Sequence, residues 1–113
     1  MSWWRRLLAP RGDLEAQDRG IPGVGAEPIG GLARRAHARI AGHIVSVTHQ
    51  PKGATPALVA RISDGSGTIG LVFLGRSDVP GIEPGRRIVA SGTVGEDSGL
   101  PIILNPTYEL LPR

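Results

Sequence analysis

The clearest hydrophobic pattern in the chain lies between residues 57 and 73. Apolar side chains occupy every second position from Leu58 to Ile62, with Val59 and Arg61 between them. This is the two-residue period of a strand with one buried face. The sequence Asp-Gly-Ser-Gly at 64–67 then supplies residues that tolerate the backbone of a tight reversal. The segment therefore predicts a β-hairpin with strands at about 57–63 and 68–75.

Comparable stretches with turn residues between them fill the rest of the chain from about residue 36 onward. They predict further strands at about 36–49, 86–94 and 100–104, with an additional short closing strand at 108–110. Gly42, inside the first of these, favours a bend or bulge that lets one long strand serve both halves of a barrel. Five main strands at this spacing predict an all-β fold. We expect the strands to close into a five-stranded Greek-key barrel, because closure removes exposed strand edges.

The inward positions of these strands define the predicted core. Each has an apolar side chain at a position that alternation assigns to the inside of the barrel. They are Ile40, Ile44, Val47, Leu58, Ala60, Ile62, Ile69, Leu71, Phe73, Ile88, Ala90, Val94, Ile103 and Leu110.

The N-terminal 31 residues follow a different pattern. Residues 2–9 predict a short helix whose apolar stripe contains Trp3, Trp4, Leu7 and Leu8. Gly, Pro and balanced charges dominate residues 10–31, and such a composition predicts a flexible linker. We therefore divide the chain into an N-terminal helix and linker at 1–31 and a barrel at 32–113. The apolar stripe has three interpretations: a docking tip for a partner, a helix that packs on its own barrel, or a loose membrane contact.

Composition narrows the class of protein. The chain has no cysteine, so disulfides and thiolate metal sites are excluded. No apolar run approaches the ~20 residues of a membrane span, and Met1–Ala9 lacks the apolar stretch of a secretion signal; we expect a cytoplasmic protein. The net charge is +3, and the excess lies within residues 31–113, a modest bias that is compatible with phosphate binding.

Several sequence segments together resemble the OB-fold nucleic-acid-binding domains. They are Ile-Ala-Gly at 40–42, Asp-Gly-Ser-Gly-Thr-Ile at 64–69, Pro-Gly-Arg-Arg-Ile-Val-Ala-Ser-Gly at 84–92 and Asn-Pro-Thr-Tyr-Glu at 105–109. The pattern is similar to the tRNA-anticodon and RecG-type helicase-wedge branch, and most similar to small stand-alone OB proteins of high-GC Gram-positive bacteria. The resemblance covers about residues 32–111 and implies an OB barrel without helicase or synthetase activity.

Members of this fold bind ligands on the outer face of strands two and three, between two flanking loops. Basic groups there follow phosphates while aromatic rings stack on bases. The candidate nucleic-acid-binding residues share a positive or ionisable side chain at outward or loop positions, and they are Arg39, His49, Lys52, Arg61, Arg76 and Arg87. The predicted outer face lacks aromatic residues, and Glu96 and Asp97 make one flanking loop acidic, so we expect weak, salt-sensitive binding.

Other chemistry finds no support in the sequence. His37, His43 and His49 are evenly spaced, but on an extended strand they span ~20 Å, too far for one metal. Asp64 fits hairpin chemistry better than catalysis. We find no nucleophile elbow, paired carboxylates or P-loop, and we expect neither enzymatic activity nor a cofactor.

Two functions remain open. The first is a small OB module that binds single-stranded DNA or RNA weakly through the outer face of strands one to three. The second is a protein-interaction or adaptor module that uses the apolar outer positions Val59, Val72 and Leu74 together with the Trp-Trp segment. A short amphipathic tip gives only marginal membrane affinity, so a membrane partner is not expected.

Overall fold

The strands between residues 37 and 110 form as the hydrophobic period predicts. The computed structural model describes residues 25–51 and 53–112. Its elements are a 3₁₀ turn at Ile29–Gly31 and six strands, β1 (His37–His49), β2 (Ala57–Ser63), β3 (Thr68–Leu74), β4 (Arg87–Asp97), β5 (Leu100–Leu104) and β6 (Thr107–Leu110). The expected N-terminal helix at 2–9 and most of the linker lie outside the described residues.

Five of the strands close into a ring. The sheet order is β1-β2-β3-β5-β4, and β4 also pairs with β1. The β3–β5 pair is parallel, whereas the other pairs of the ring are antiparallel. The short strand β6 adds to the outside of the ring by pairing with β4. The fold is therefore all-β and forms an OB-like five-stranded barrel, as the sequence predicts.

Strand β1 bends so that it can serve both halves of the barrel. Its first part, His37–His43, pairs with β4, and its second part, His43–His49, pairs with β2. The bulge lies between Ile44 and Ser46 rather than at Gly42, whereas the change of pairing partner takes place at His43, next to that glycine. Gly42 instead lets β2 approach closely, because a Cβ atom there would clash with the backbone of Ser63.

The β4–β5 hairpin is tighter than the sequence predicts. Ser98 and Gly99 both have positive φ values, 55° and 85°, which is the backbone of a two-residue turn that matches strand twist. Glu96 and Asp97 therefore stay in β4, opposite Pro101 and Leu100, rather than forming the turn.

The barrel interior holds the predicted core. All fourteen predicted residues belong to the inner cluster or pack against it, Val47 and Leu110 being only partly buried. Four residues outside the predicted core are also buried in this cluster, namely Ile29, Ala38, Val79 and Ile82. Ile29 comes from the part of the chain assigned to the linker, and it packs in the inner cluster.

The described residues 25–51 and 53–112 include no helix long and apolar enough to cross a membrane.

Candidate nucleic-acid interface

The exterior of β1, β2 and β4 contains three of the six candidate residues, Arg39, Arg61 and Arg87. Inward side chains such as Ile40, Ile62 and Ile88 fill the barrel, and the alternating positions point outward. On this exterior, His43 is opposite both Arg87 of β4 and Ser63 of β2, and Ser46 is opposite Arg61.

Arg61 lies on the predicted outer face but is fully buried. Its relative exposure is 0%, and its Nη1 donates a hydrogen bond to Ser46 Oγ at 2.9 Å. Burial lowers the pKa of the Arg61 guanidinium. The expectation that this side chain is displayed to a ligand on an open surface is therefore wrong for this structure. Alternation fixes the side of the sheet but not what covers it.

Arg39 and Arg87 are the exposed cations of the same exterior. Arg39 is opposite Ser91, and Arg87 is opposite His43. Their Cα atoms are about 14 Å apart if strand rise and spacing are regular. His43 is 7% exposed, and burial together with the Arg87 charge lowers the pKa of its imidazole. The Arg87 charge therefore acts directly on this part of the exterior.

The remaining candidates lie at a different end of the barrel. His49 and Arg76 are both exposed, and His49 Nε2 hydrogen-bonds with the carbonyl oxygen of Ser77 at 2.6 Å. This contact brings the end of β1 next to the loop that follows β3. Lys52 lies outside the described residues. His49 is about 20 Å along β1 from His43, the residue opposite Arg87. The candidate residues therefore form two separate groups, one with Arg39, Arg61 and Arg87 and the other with His49 and Arg76.

The negative charge of the β4–β5 hairpin, which contains Glu96 and Asp97, is partly neutralised. Arg34 forms a salt bridge with Glu96 across the entrance to β1. A surface ion pair of this kind adds little stability, but it reduces the negative potential predicted for this loop.

Asp64 has the structural role that its turn sequence predicts. Its Oδ1 accepts hydrogen bonds from the Ser66 backbone N–H at 2.8 Å, the Ser66 hydroxyl and the Gly67 N–H. Its Oδ2 accepts a bond from the Ile29 N–H at 2.9 Å. The carboxylate thus fixes the β2–β3 turn and attaches the 3₁₀ turn to it, a contact that sequence patterns do not contain.

Aromatic stacking on the described exterior is not available. Phe73 and Tyr108 form an edge-to-face pair with centroids 5.6 Å apart and planes at 82°, packed with the inner cluster. Tyr108 is therefore packed against the barrel. Any nucleic acid on the described surface would therefore be held through phosphates and guanidinium planes.

The apolar outer positions Val59 and Val72 are buried, at 0% and 3% exposed. Val59 and Val72 form an outer apolar cluster with Leu74, Leu100 and Ile102. Ala41 and Val89, opposite each other on β1 and β4, are 5% and 2% exposed. Strand parity places them outside the barrel, and no sequence signal shows that they are covered. Within residues 25–51 and 53–112, no cluster of His, Cys, Asp or Glu has the geometry of a metal site.

Comparison with known proteins supports the architecture. No protein-family model matches the chain, and no curated protein matches it. Among solved structures, a replication factor A related protein from Methanobacterium thermoautotrophicum is similar with a TM-score of 0.61 and 16% sequence identity. The match covers 81% of this chain and 96% of that one. At this identity the likeness shows the fold alone.

Proposed function

We propose that the protein is a non-enzymatic OB module that binds single-stranded DNA or RNA weakly through the exterior of its barrel. The observation that carries this proposal is the pair Arg39 and Arg87, which are exposed on neighbouring strands beside the buried Arg61. Strand β1, which contains Arg39, also pairs with β2, and β2 belongs to the face on which OB barrels bind oligonucleotides. The similar solved structure belongs to a replication factor A related protein, which supports the same class of ligand.

The proposed interaction is electrostatic. Two arginines whose Cα atoms are about 14 Å apart can contact different phosphates of one strand, and each guanidinium can stack on a base through its planar face. Without an aromatic platform on the described surface, the ~1–3 kcal/mol that each base–ring stack supplies elsewhere is missing. Affinity is therefore low, with little base preference. The finer resemblance to the anticodon-binding and helicase-wedge branch, and a cytoplasmic location, stay predictions.

The salt dependence of binding tests this proposal. Each phosphate contact on a single strand contributes about −0.7 to the slope of log K against log salt concentration. We expect fluorescence anisotropy with labelled oligothymidine and oligouridine to show weak binding at low salt and a slope of about −1.4 for two contacts. Arg39→Gln and Arg87→Gln should each weaken binding and reduce the slope by about 0.7.

The matched control for both variants is Arg35→Asn. Arg35 is exposed and has a φ of 66°, a conformation that Asn tolerates, and its replacement removes the same charge. If Arg35→Asn weakens binding as much as Arg87→Gln does, net charge rather than this surface is responsible. Absence of binding at low salt would contradict the proposal itself.

A protein-interaction role is the second candidate, and one observation favours it. Leu104 is 49% exposed, and it follows the outer apolar cluster along the exterior of β5. Leu104→Lys should abolish a protein contact at this surface while leaving oligonucleotide affinity unreduced. A purified partner whose affinity is lost in Leu104→Lys and kept in Arg87→Gln would favour the adaptor role.

A further inference from the structure

A small cavity lies where β4 begins, next to the residues that follow β6. Its volume is about 390 Å³, and the described residues that line it are Gly85, Arg86, Arg87 and Pro112. Two of these residues are arginines, and none of them is acidic. Because a water molecule takes up about 30 Å³ of liquid, the cavity has room for a tetrahedral anion together with several waters.

Hydrogen bonds fix the backbone of the cavity on two sides. The Gly85 N–H donates to the Ile44 carbonyl oxygen at 2.8 Å, and the Ile44 N–H donates to the Arg86 carbonyl oxygen at 2.8 Å. On the other side, the Leu111 N–H donates to the Arg87 carbonyl oxygen at 2.9 Å. The start of β4 is thus held between β1 and the residue after β6. A ligand in the cavity therefore meets a backbone that is already ordered, which lowers the entropic cost of binding.

The Arg86 guanidinium is positioned by the segment after β6 but keeps a donor without an acceptor. Its Nη2 donates to the Leu111 carbonyl oxygen at 3.3 Å. Its Nε is buried and has no hydrogen-bond partner in the described part of the chain. A buried donor without an acceptor is costly, and a bound water or ion commonly supplies the acceptor for such a group.

The positive charge around the cavity is not neutralised by a carboxylate in residues 25–51 and 53–112. The salt bridge of this part of the chain joins Arg34 to Glu96 and includes neither arginine of the cavity. Burial, and after it the Arg87 charge, lowers the pKa of the His43 imidazole, so the field of Arg87 acts on its surroundings. Two guanidiniums without a counter-charge provide the planar, multiple donors that bind phosphate oxygens.

We propose that this cavity is a binding site for a phosphate monoester. A monoester is a dianion above its second pKa of about 6, whereas the internal diester of a nucleic acid has a single negative charge. The charges of Arg86 and Arg87 together match the dianion. In addition, a diester has two chains that must leave the site, whereas a monoester has one.

The cavity gives the proposed function a preference for strand ends, and this consequence rests on that function. Arg87 belongs both to the cavity and to the pair of exposed cations proposed to contact the strand. A strand with its terminal phosphate in the cavity can run along β4 towards Arg39, which is opposite Ser91. The protein then binds strands with a phosphorylated end more tightly than strands that offer only internal phosphates.

Titration of the full chain with small phosphate esters tests the cavity without nucleic acid. Methyl phosphate is the monoester probe and dimethyl phosphate the diester control, both at constant ionic strength and a pH above the second pKa of about 6. We expect NMR shift changes at the amides of Gly85, Arg86 and Arg87 that saturate at millimolar methyl phosphate. Dimethyl phosphate should bind about fivefold more weakly. Unchanged amides, or equal affinities for the two esters, would overturn the proposal.

Substitutions locate the site. Arg86→Gln removes one charge and the buried Nε, and should weaken methyl phosphate binding about tenfold. Arg86→Lys keeps the charge but loses the planar donors, so its affinity should lie between those of Arg86→Gln and the wild type. Arg35→Asn is the matched control, since Arg35 is exposed and outside the cavity. Equal weakening in Arg86→Gln and Arg35→Asn would mean that net charge attracts the ester, which overturns the site. Arg87→Gln, at an exposed position, takes the place of Arg86→Gln if the latter does not fold.

Fluorescence anisotropy separates the cavity from the proposed function. Phosphorylation of the 5′ or the 3′ end of oligothymidine, with the label at the opposite end, should tighten binding about tenfold in the wild type, and Arg86→Gln should remove this difference. Equal affinities for phosphorylated and hydroxyl-ended strands would overturn the preference for ends. If methyl phosphate binds and no oligonucleotide does, the proposed function fails and the cavity stands. If oligonucleotides bind and methyl phosphate does not, the cavity fails and the proposed function stands.

Discussion

Asp64 links the turn of the central hairpin to a segment that lies 35 residues earlier in the chain. Its two carboxylate oxygens accept different hydrogen bonds. Oδ1 accepts from N–H groups of the turn, and Oδ2 accepts from the Ile29 N–H. This separation makes it possible to remove one function and keep the other.

Asp64→Asn should uncouple the two contacts. The amide oxygen can still accept from Ser66 and Gly67, but an NH₂ group then opposes the Ile29 N–H, and a donor is left without an acceptor. We expect a loss of about 1–3 kcal/mol in the free energy of unfolding, measured by urea denaturation. Asp78→Asn, at an exposed loop position, is the control. Equal stability of the two variants would show that the Ile29 contact contributes nothing.

His43 makes the stability of the barrel dependent on pH. Burial and the Arg87 charge lower the pKa of its imidazole below the ordinary 6.5, so the folded state binds the proton less tightly than the unfolded state. The stability contributed by the neutral ring is complete above pH 6.5. It is lost as the pH falls from there through the folded pKa.

We therefore expect the free energy of unfolding of the wild type to decrease below pH 6.5, and His43→Asn to flatten this decrease. Arg87→Gln should raise the pKa of His43, as followed by NMR of the imidazole ring, because it removes the smaller of the two causes. Burial remains, so the pKa should not return fully to the ordinary value. An unchanged pKa in Arg87→Gln would contradict the electrostatic contribution.

The residues that the sequence predicts well are those whose environment follows from their own strand. Ile40, Ile62 and Ile88 are core residues because alternation and hydrophobicity agree. Alternation also predicts correctly that the Arg61 side chain lies on the outward side of the sheet. Its burial, however, depends on what covers the sheet. That is a property of another part of the molecule, so alternation cannot contain it.

Elements were predictable where turn chemistry is local and less so where it depends on a distant strand. Asp-Gly-Ser-Gly set the bounds of the β2–β3 hairpin, and Asn105-Pro106 ended β5 as the sequence suggests. The hydrogen bond from the Leu74 N–H to Asn105 Oδ1, at 2.9 Å, prolongs the β3–β5 pairing and depends on the tertiary arrangement. The position of Gly42 was informative, but a bulge and a close approach both favour glycine, so composition alone could not separate them.

Gly42→Ala tests the close approach between β1 and β2. The new Cβ would meet the carbonyl of Ser63 and the Ile62 side chain, and both belong to a fully buried strand. We expect a loss of about 1–3 kcal/mol in the free energy of unfolding by urea denaturation. Gly31→Ala is the control, since nothing lies within 4 Å of a Cβ there. A small effect in both variants would show that β1 and β2 can separate without cost.

At the scale of the whole molecule, closure depends on one short parallel pairing. β2 and β3 pair along their full length, from the pair Ala57 and Leu74 to the pair Ser63 and Thr68. In contrast, β3 and β5 pair only over Gly70–Val72 and Ile102–Leu104. Parallel pairing is also slightly weaker per residue. The β3–β5 seam is therefore the weakest join between neighbouring strands of the ring, and β6 lies outside the ring with pairing only to β4.

This arrangement predicts a hierarchy of opening in native-state hydrogen exchange. Amides of β2 and β3 that bond to each other should exchange only by global unfolding. The backbone N–H of Ile103 and Asn105, at the seam, and those of β6 should exchange through a smaller opening, because local openings take place where few hydrogen bonds must break.

Asn105→Ala removes the side-chain acceptor that prolongs the seam and should lower the protection of β5 more than that of β2. Asn105→Asp keeps an acceptor and a side chain that tolerates the positive φ of 47° at this position, so it should restore most of the difference. Equal protection of β5 and β2 in the wild type would instead mean that the ring opens as a single cooperative unit, with the inner cluster rather than the seam determining when it opens.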